Sequence, residues 1–215
     1  MFLPTTKEEL NNLHWKQLDV ILVSGDTYID SPYSGMAIIG RILNSYGYKV
    51  GIIAQPDINS DEITRLGEPR LFWGVSAGLV DSMVANYTAS KKRRNNDDFT
   101  PNGVNNRRPD RASIVYTGLI RKFYKNTVPI VLGGIEASLR RVAHYDFWGN
   151  NVRKSLLFDA KADILVYGMA EKTIVKLANS LNAGEDFKDL RGLCYISKEP
   201  KDGYIEIESF DEVKA

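Results

Sequence analysis

Five short apolar runs, most of them separated by segments with helical spacing, constrain this chain more than any other feature. They are LDVILVS (18–24), YKVGIIA (48–54), RLFWGVS (70–76), PIVLGG (129–134) and ADILVYG (162–168). Such runs lack the in–out alternation of a half-exposed strand, so they read as strands covered on both faces. After the first run, Ser31-Pro32 is placed to start a helix, Met36, Ile39, Ile42, Leu43 and Tyr46 fall on one helical stripe, and Gly47 supplies a left-handed stop. AGLVDSMVANY, the stretch carrying Ala112, Val115, Tyr116, Leu119, Ile120 and Phe123, and EKTIVKLANSL read as further helices. Strands alternating with helices imply right-handed crossovers and a mainly parallel sheet. The expected unit is an α/β domain over residues 1–190 with helices on both faces. LCYIS and GYIEIE, on either side of the turn-forming KEPKDG, are expected to pair as a C-terminal hairpin within 191–215.

Scarcity limits the chemistry. One cysteine, Cys194, and two histidines, His14 and His144, exclude a disulfide framework and a four-thiolate zinc or iron–sulfur site built from this chain alone. Cys194 lies in an apolar run and reads as a strand residue rather than a nucleophile. Lys+Arg 28 against Asp+Glu 27 leaves a net charge of +1, so bulk charge favours neither nucleic acid nor an anionic membrane. No apolar run approaches the ~20 residues that span a bilayer. The N-terminal MFLPTTKEEL lacks the features of a signal peptide, so a cytoplasmic location is expected.

Two segments depart from the repeat. Residues 88–111 form a long polar connection carrying Lys91, Lys92, Arg93, Arg94, Arg107, Arg108 and Arg111. A connection of that length implies either a functional loop or a flexible one. Near the end, Ser209 and Glu212 have the spacing of a helix capping box. The helix they announce has one turn of chain left to it, so the expectation is that the natural polypeptide continues.

In an open parallel sheet, ligands bind beyond the C-terminal strand ends. The loops there contain Asp26 and Asp30 after the first strand, Ser76 after the third, Gly133 and Gly134 after the fourth, and Gly168 after the fifth. These make Asp26, Asp30, Ser76, Gly133 and Gly134 candidate ligand-binding positions. Glu136, Arg140, Arg141, His144 and Asp146, which follow closely in GGIEASLRRVAHYDFW, are candidate contacts to a substrate or to another domain. No GxGxxG and no GxxxxGK[ST] is present, so neither phosphate fingerprint supports a nucleotide enzyme.

VSGDTYIDSPYSGMAIIGRIL, GIIAQPD, ANYTASKKRR with RRPDRA, GGIEASLRRVAHYDFW and KADILVYGMAEK together resemble the N-terminal region of the YgiQ family of radical SAM proteins. The resemblance implies a four-iron cluster and S-adenosylmethionine, both held by a CxxxCxxC motif that lies outside this chain, with no metal bound here. The loops also resemble the cobalamin-binding domain that precedes many radical SAM domains, whose first loop reads DxHxxG. Here Asp30-Ser-Pro-Tyr-Ser-Gly35 has Pro32 where that histidine stands, so no imidazole is available there to ligate cobalt. A domain that keeps the fold without the cofactor is the preferred reading, and cobalamin held without that ligand is the alternative.

The reading that follows is a flavodoxin-like, cobalamin-binding-like α/β domain with strand order 2-1-3-4-5. It would position substrate for a radical SAM enzyme whose cluster-binding domain lies downstream as its partner. The fragment alone would be inactive, and its substrate is unspecified. Two rivals remain open: a polyanion- or RNA-binding module using the basic loop 88–111, and a free-standing enzyme binding a phosphorylated substrate at the GGIEASLRR helix start.

Overall fold

All five apolar runs form strands in a computed structural model, which describes residues 2–215. The strands are β1 (Val20–Ser24), β2 (Val50–Ala54), β3 (Phe72–Ser76), β4 (Ile130–Gly133), β5 (His144–Asp146), β6 (Asn151–Arg153), β7 (Ile164–Val166) and β8 (Leu193–Tyr195). The main sheet runs β2-β1-β3-β4-β7-β8, while β5 and β6 form a separate antiparallel pair. β1 is central to two parallel neighbours, with Val20 opposite Val50 and Phe72. β3, β4 and β7 continue in parallel, and β8 closes the edge antiparallel to β7. The order expected for the five runs therefore holds. Every residue of β1 and of β3 is buried, as two covered faces require.

The helices are α1 (Lys7–Asn12), α2 (Gly35–Ser45), α3 (Ser82–Asn86), α4 (Ala112–Phe123), α5 (Gly134–Leu139), α6 (Leu156–Ala160), α7 (Glu171–Ala183) and α8 (Phe210–Lys214). The period-2 pleat divides each strand between them. Val20, Leu22, Phe72, Val131 and Ile164 pack under α2 and α7, through Leu43, Ile174, Leu177 and Ala178. Ile21, Val23, Trp73, Val75 and Leu132 pack under α4, α5 and α6, through Tyr116, Ile120, Ala137 and Leu156. Burying each such side chain stabilises the fold by ~1.5–3 kcal/mol.

Three expectations change. The C-terminal hairpin does not form. Leu193–Tyr195 pairs with β7 instead, and residues 203–208 contain no strand. Ile205 is 93% exposed, so GYIEIE has no covered face on which its alternating apolar residues could settle. The helix expected over AGLVDSMVANY shrinks to Ser82–Asn86, because Gly78 takes φ 117° and Asp81 then caps a new start by accepting from Met83 N–H at 2.9 Å. Ser31-Pro32 does not start α2. Ser34 caps it three residues later, with Pro32 in the preceding turn.

The capping box at Ser209 is present. Glu212 accepts from Ser209 N–H at 2.7 Å, and Glu212 N–H donates to Ser209 Oγ at 3.3 Å. Cys194 packs against the core from β8, and burial pushes its thiol pKa up, away from nucleophilic use. Among the described residues, no helix is long and apolar enough to cross a membrane.

Candidate functional site

The C-terminal end of the sheet opens into a crevice because α2 and α7 converge at one end only. Tyr48, just past α2, donates its hydroxyl to Asn179 of α7 at 2.6 Å and holds the far ends together. Toward the strand ends the two helices leave a cavity of about 350 Å³. Leu22, Phe72, Val131 and Val166 form its floor, Met36, Ile39 and Ile174 its walls, and Tyr33 and Met169 its rim. Tyr33 is 85% and Met169 86% exposed, an unusual position for large apolar side chains.

Two glycines create this space. Gly74 lies on the crevice face of β3, where a Cβ would come 2.6 Å from Leu22 Cδ2. Gly134 opens α5 at φ 80°, and a Cβ there would come 2.5 Å from Ser76 Oγ. Ser76 donates toward Gly78 carbonyl oxygen and accepts from Gly78 N–H at 3.2 Å, which folds the β3 loop back on itself. The structure thus brings Ser76, Gly133 and Gly134 together on one lining, as the strand-end rule anticipates.

Asp26 and Asp30 do not join them. Asp26 is buried beside Arg108, whose guanidinium is fully buried and ion-paired to both Asp26 and Asp97. Arg108 Nε also donates to Gly25 carbonyl oxygen at 3.1 Å. Gln55 donates to the same carbonyl at 2.9 Å, and Leu79 N–H donates to Asp26 at 2.6 Å. Burial pushes the Asp26 carboxyl pKa up, against the opposing Arg108 charge and the Leu79 N–H. Asp30 pairs with Arg41 of α2 outside the crevice, and that hydrogen bond holds its pKa below the usual carboxylate value.

The connection 88–111 is thus packed rather than a free basic loop. Asp97, Thr100, Asn105 and Arg108 are buried within it. Thr100 Oγ1 donates to Asp97 at 2.7 Å, and Asn105 Nδ2 donates to Arg94 carbonyl oxygen at 3.0 Å. Arg93 pairs with Asp110 and Arg111 with Asp146, so with Arg108 three of the seven basic residues in this stretch form internal ion pairs.

The radical SAM N-terminal family matches residues 2–215. The chain belongs to that family. A UPF0313 protein of Fusobacterium nucleatum is 60% identical over 216 residues, and one of Thermotoga maritima is 59% identical over 218. A third, of Pseudomonas aeruginosa, is 51% identical over 212 residues. The chain spans 38% of the length of the first two and 28% of the third. The resemblance to the YgiQ family seen in the sequence is thereby shown. Among solved structures, the radical S-adenosylmethionine methyltransferase TsrM from Kitasatospora setae, with cobalamin and a [4Fe-4S] cluster bound, matches with TM-score 0.55 and 20% identity. That match covers 83% of this chain and 29% of that one, and it supports the parallel α/β fold.

Of the five candidate contacts of this radical SAM N-terminal domain, Arg140, His144 and Asp146 line a common cavity outside the crevice, and Glu136 and Arg141 do not line it. Glu136 is buried on the far side of α5 and accepts from Ser82 N–H at 2.8 Å, from the Ser82 hydroxyl and from Ser113 N–H at 3.1 Å. It ties the starts of α3 and α4 to α5. Arg140 pairs with Asp81, while Arg141 donates to Ser138 carbonyl oxygen at 2.7 Å and lies over the Tyr167 ring at 5.0 Å. Arg140 is therefore not free to hold an anion at the start of α5. His144 and Asp146 stand on β5, away from the crevice. Burial, together with the nearby Arg140 charge, pushes the His144 pKa down.

Sequence reasoning missed Gly74, although a glycine inside an apolar strand is itself a sign of close approach or of a bound group. It also missed Arg108, which nothing in a polar, basic stretch marks as the most buried cation. The residues present do not fit an iron–sulfur cluster, because the chain has one cysteine. No grouping of His, Cys, Asp and Glu suited to a metal occurs among the described residues. The crevice has the size and apolar lining for a flat group, yet neither of the two histidines lines it, so it offers no imidazole to cobalt.

Proposed function

We propose that these residues form the substrate-positioning N-terminal domain of a radical SAM enzyme, with the α2–α7 crevice as its ligand site. The cluster and S-adenosylmethionine would be held by polypeptide outside these residues, where the cluster supplies the electron that cleaves S-adenosylmethionine. This chain's share is to bind and orient, and to keep water away from the bound group. The crevice carries this reading. It is apolar, pocket-sized and open at the sheet edge, and the absence of side chains at Gly74 and Gly134 maintains its volume.

The crevice is better suited to an apolar, flat portion of a substrate than to a histidine-ligated cobalamin. Ser76, Glu171 and the Tyr33 hydroxyl supply its polar side-chain groups, which suffices to orient such a group by hydrogen bonds. Supplied with iron and sulfide, the 215-residue chain is expected to develop no cluster absorbance. A cluster on this chain alone would overturn the division of labour. Incubated with hydroxocobalamin and desalted, the chain is expected to emerge colourless; stoichiometric retained colour reassigns the crevice to that cofactor.

A further inference from the structure

A second cavity, of about 520 Å³, lies on the other side of the segment that walls the crevice: Leu79 faces the crevice, whereas Asp81 and Val84 face this space. Its outer wall is the turn between β5 and β6. The Trp148 ring stands 5.0 Å from Tyr87 and 5.6 Å from Phe147, centroid to centroid, so three aromatic rings meet at one mouth. Phe147 is 50% exposed, which leaves ring surface uncovered.

The charges around this cavity are unequal from floor to rim. On the floor, Asp81 is neutralised by Arg140 and Asp146 by Arg111. Beside the rim, Lys91 Nζ lies over the Phe147 ring at 4.8 Å and the Trp148 ring at 5.7 Å from their centroids, and donates to the Trp148 carbonyl oxygen at 3.5 Å. Arg94 donates through Nε to the Val84 and Tyr87 carbonyl oxygens, which holds its guanidinium at the cavity while its two Nη groups have no partner among the described residues. Neither Lys91 nor Arg94 forms an ion pair among the described residues.

Flat ring faces suit a flat ring, and unneutralised cations beside them suit an anion joined to it. We infer that this cavity binds a nucleoside phosphate, its base against Phe147 and Trp148 and its phosphate between Lys91 and Arg94. The same chemistry is offered by a free nucleotide and by one unit of a single-stranded nucleic acid. A duplex hides its base faces and does not fit. This site is separate from the crevice and stands whether or not the crevice binds substrate.

The test follows the heat of binding by isothermal titration calorimetry, on the protein in the length in which it is naturally made, as ligand is added at low salt. The probes are AMP, ribose 5-phosphate, a single-stranded RNA octamer and the same octamer as a duplex. AMP or the single strand is expected to bind, with Phe147→Leu and Trp148→Ala each weakening binding ~tenfold or more, the scale of one lost base–aromatic stack. Phe147→Leu keeps apolar volume at the turn, and an unchanged melting temperature separates its effect from misfolding. Arg94→Gln is expected to weaken binding and flatten its salt dependence, whereas Arg107→Gln, outside the cavity, is expected to do neither. Tighter binding of the octamer than of AMP identifies nucleic acid as the source, and equal binding identifies the free nucleotide. Binding of ribose 5-phosphate as tight as that of AMP, of duplex as tight as that of single strand, indifference to both aromatic substitutions, or no binding by any probe would overturn the inference.

Discussion

At the C-terminal edge of the sheet, the α2–α7 crevice is walled by apolar side chains and kept open by glycine. A few residues away, the end of β1 is filled by Arg108, Asp26, Asp97, Gln55 and Thr100. Both regions start from the same architecture, loops leaving parallel strands. One leaves its volume empty, while the other fills it with charged and polar groups that pair with one another. The contrast separates two kinds of polar residue that a sequence displays alike: those that await a ligand and those that hold loops still. Asp26 and Glu136 belong to the second kind, and Ser76 lies where the two regions meet.

The contrast is broken most severely by removing the filled region's cation. Arg108→Met leaves Asp26 and Asp97 buried without their counter-charge and is expected to cost ~3–5 kcal/mol in urea unfolding. Glu136→Gln keeps the shape but turns an amide N–H toward a backbone or hydroxyl donor, so ~1–3 kcal/mol is expected from the same measurement. Arg140→Gln, by comparison, removes a pair at the edge of the second cavity and should cost less than Arg108→Met.

The open region should behave in the opposite way. Gly74→Ala places a methyl group against the flexible tip of Leu22, and the stability change is expected to stay within ~1 kcal/mol. Occupancy should respond much more strongly: an apolar dye such as 8-anilinonaphthalene-1-sulfonate, taken up by the parent chain, should be excluded by Gly74→Val. Equal dye uptake by both would show that the crevice is not the apolar site.

The smallest effect is one of pH. Burial, with the Arg140 charge beside it, depresses the His144 pKa below the ordinary ~6.5, so the unfolded chain takes up that proton first. Stability is therefore complete above pH ~6.5 and falls as pH drops toward the depressed value. Burial alone would raise the Asp146 pKa, but the Arg111 hydrogen bond and charge, the Trp148 N–H and the Arg153 charge together hold it low. Its contribution is lost later, as pH falls below the ordinary ~3.9. Melting temperature followed against pH should show the first step in the parent and not in His144→Gln.

The alternation of apolar runs and helical stripes made the strand order legible, because a strand buried on both faces needs apolar residues at every position. The Ser209–Glu212 cap was legible because its partners are three residues apart. GYIEIE misled for a related reason: local alternation is a necessary condition for a strand, but pairing and a covered face complete it, and β8 pairs with β7 instead. At the sheet edge, Ser76, Gly133 and Gly134 share the crevice lining where the strand-end rule points, since that rule depends on topology alone.

What the sequence determined by itself is the layered sheet and the edge at which its loops gather, because burial periodicity is written in neighbouring residues. Only the tertiary structure decided which charged side chains lie inside. Arg108 meets Asp26 across 82 positions and Glu136 meets Ser82 across 54. A charge stays buried only when an opposite charge or a set of hydrogen-bond donors and acceptors reaches it through space, and no local pattern records that meeting.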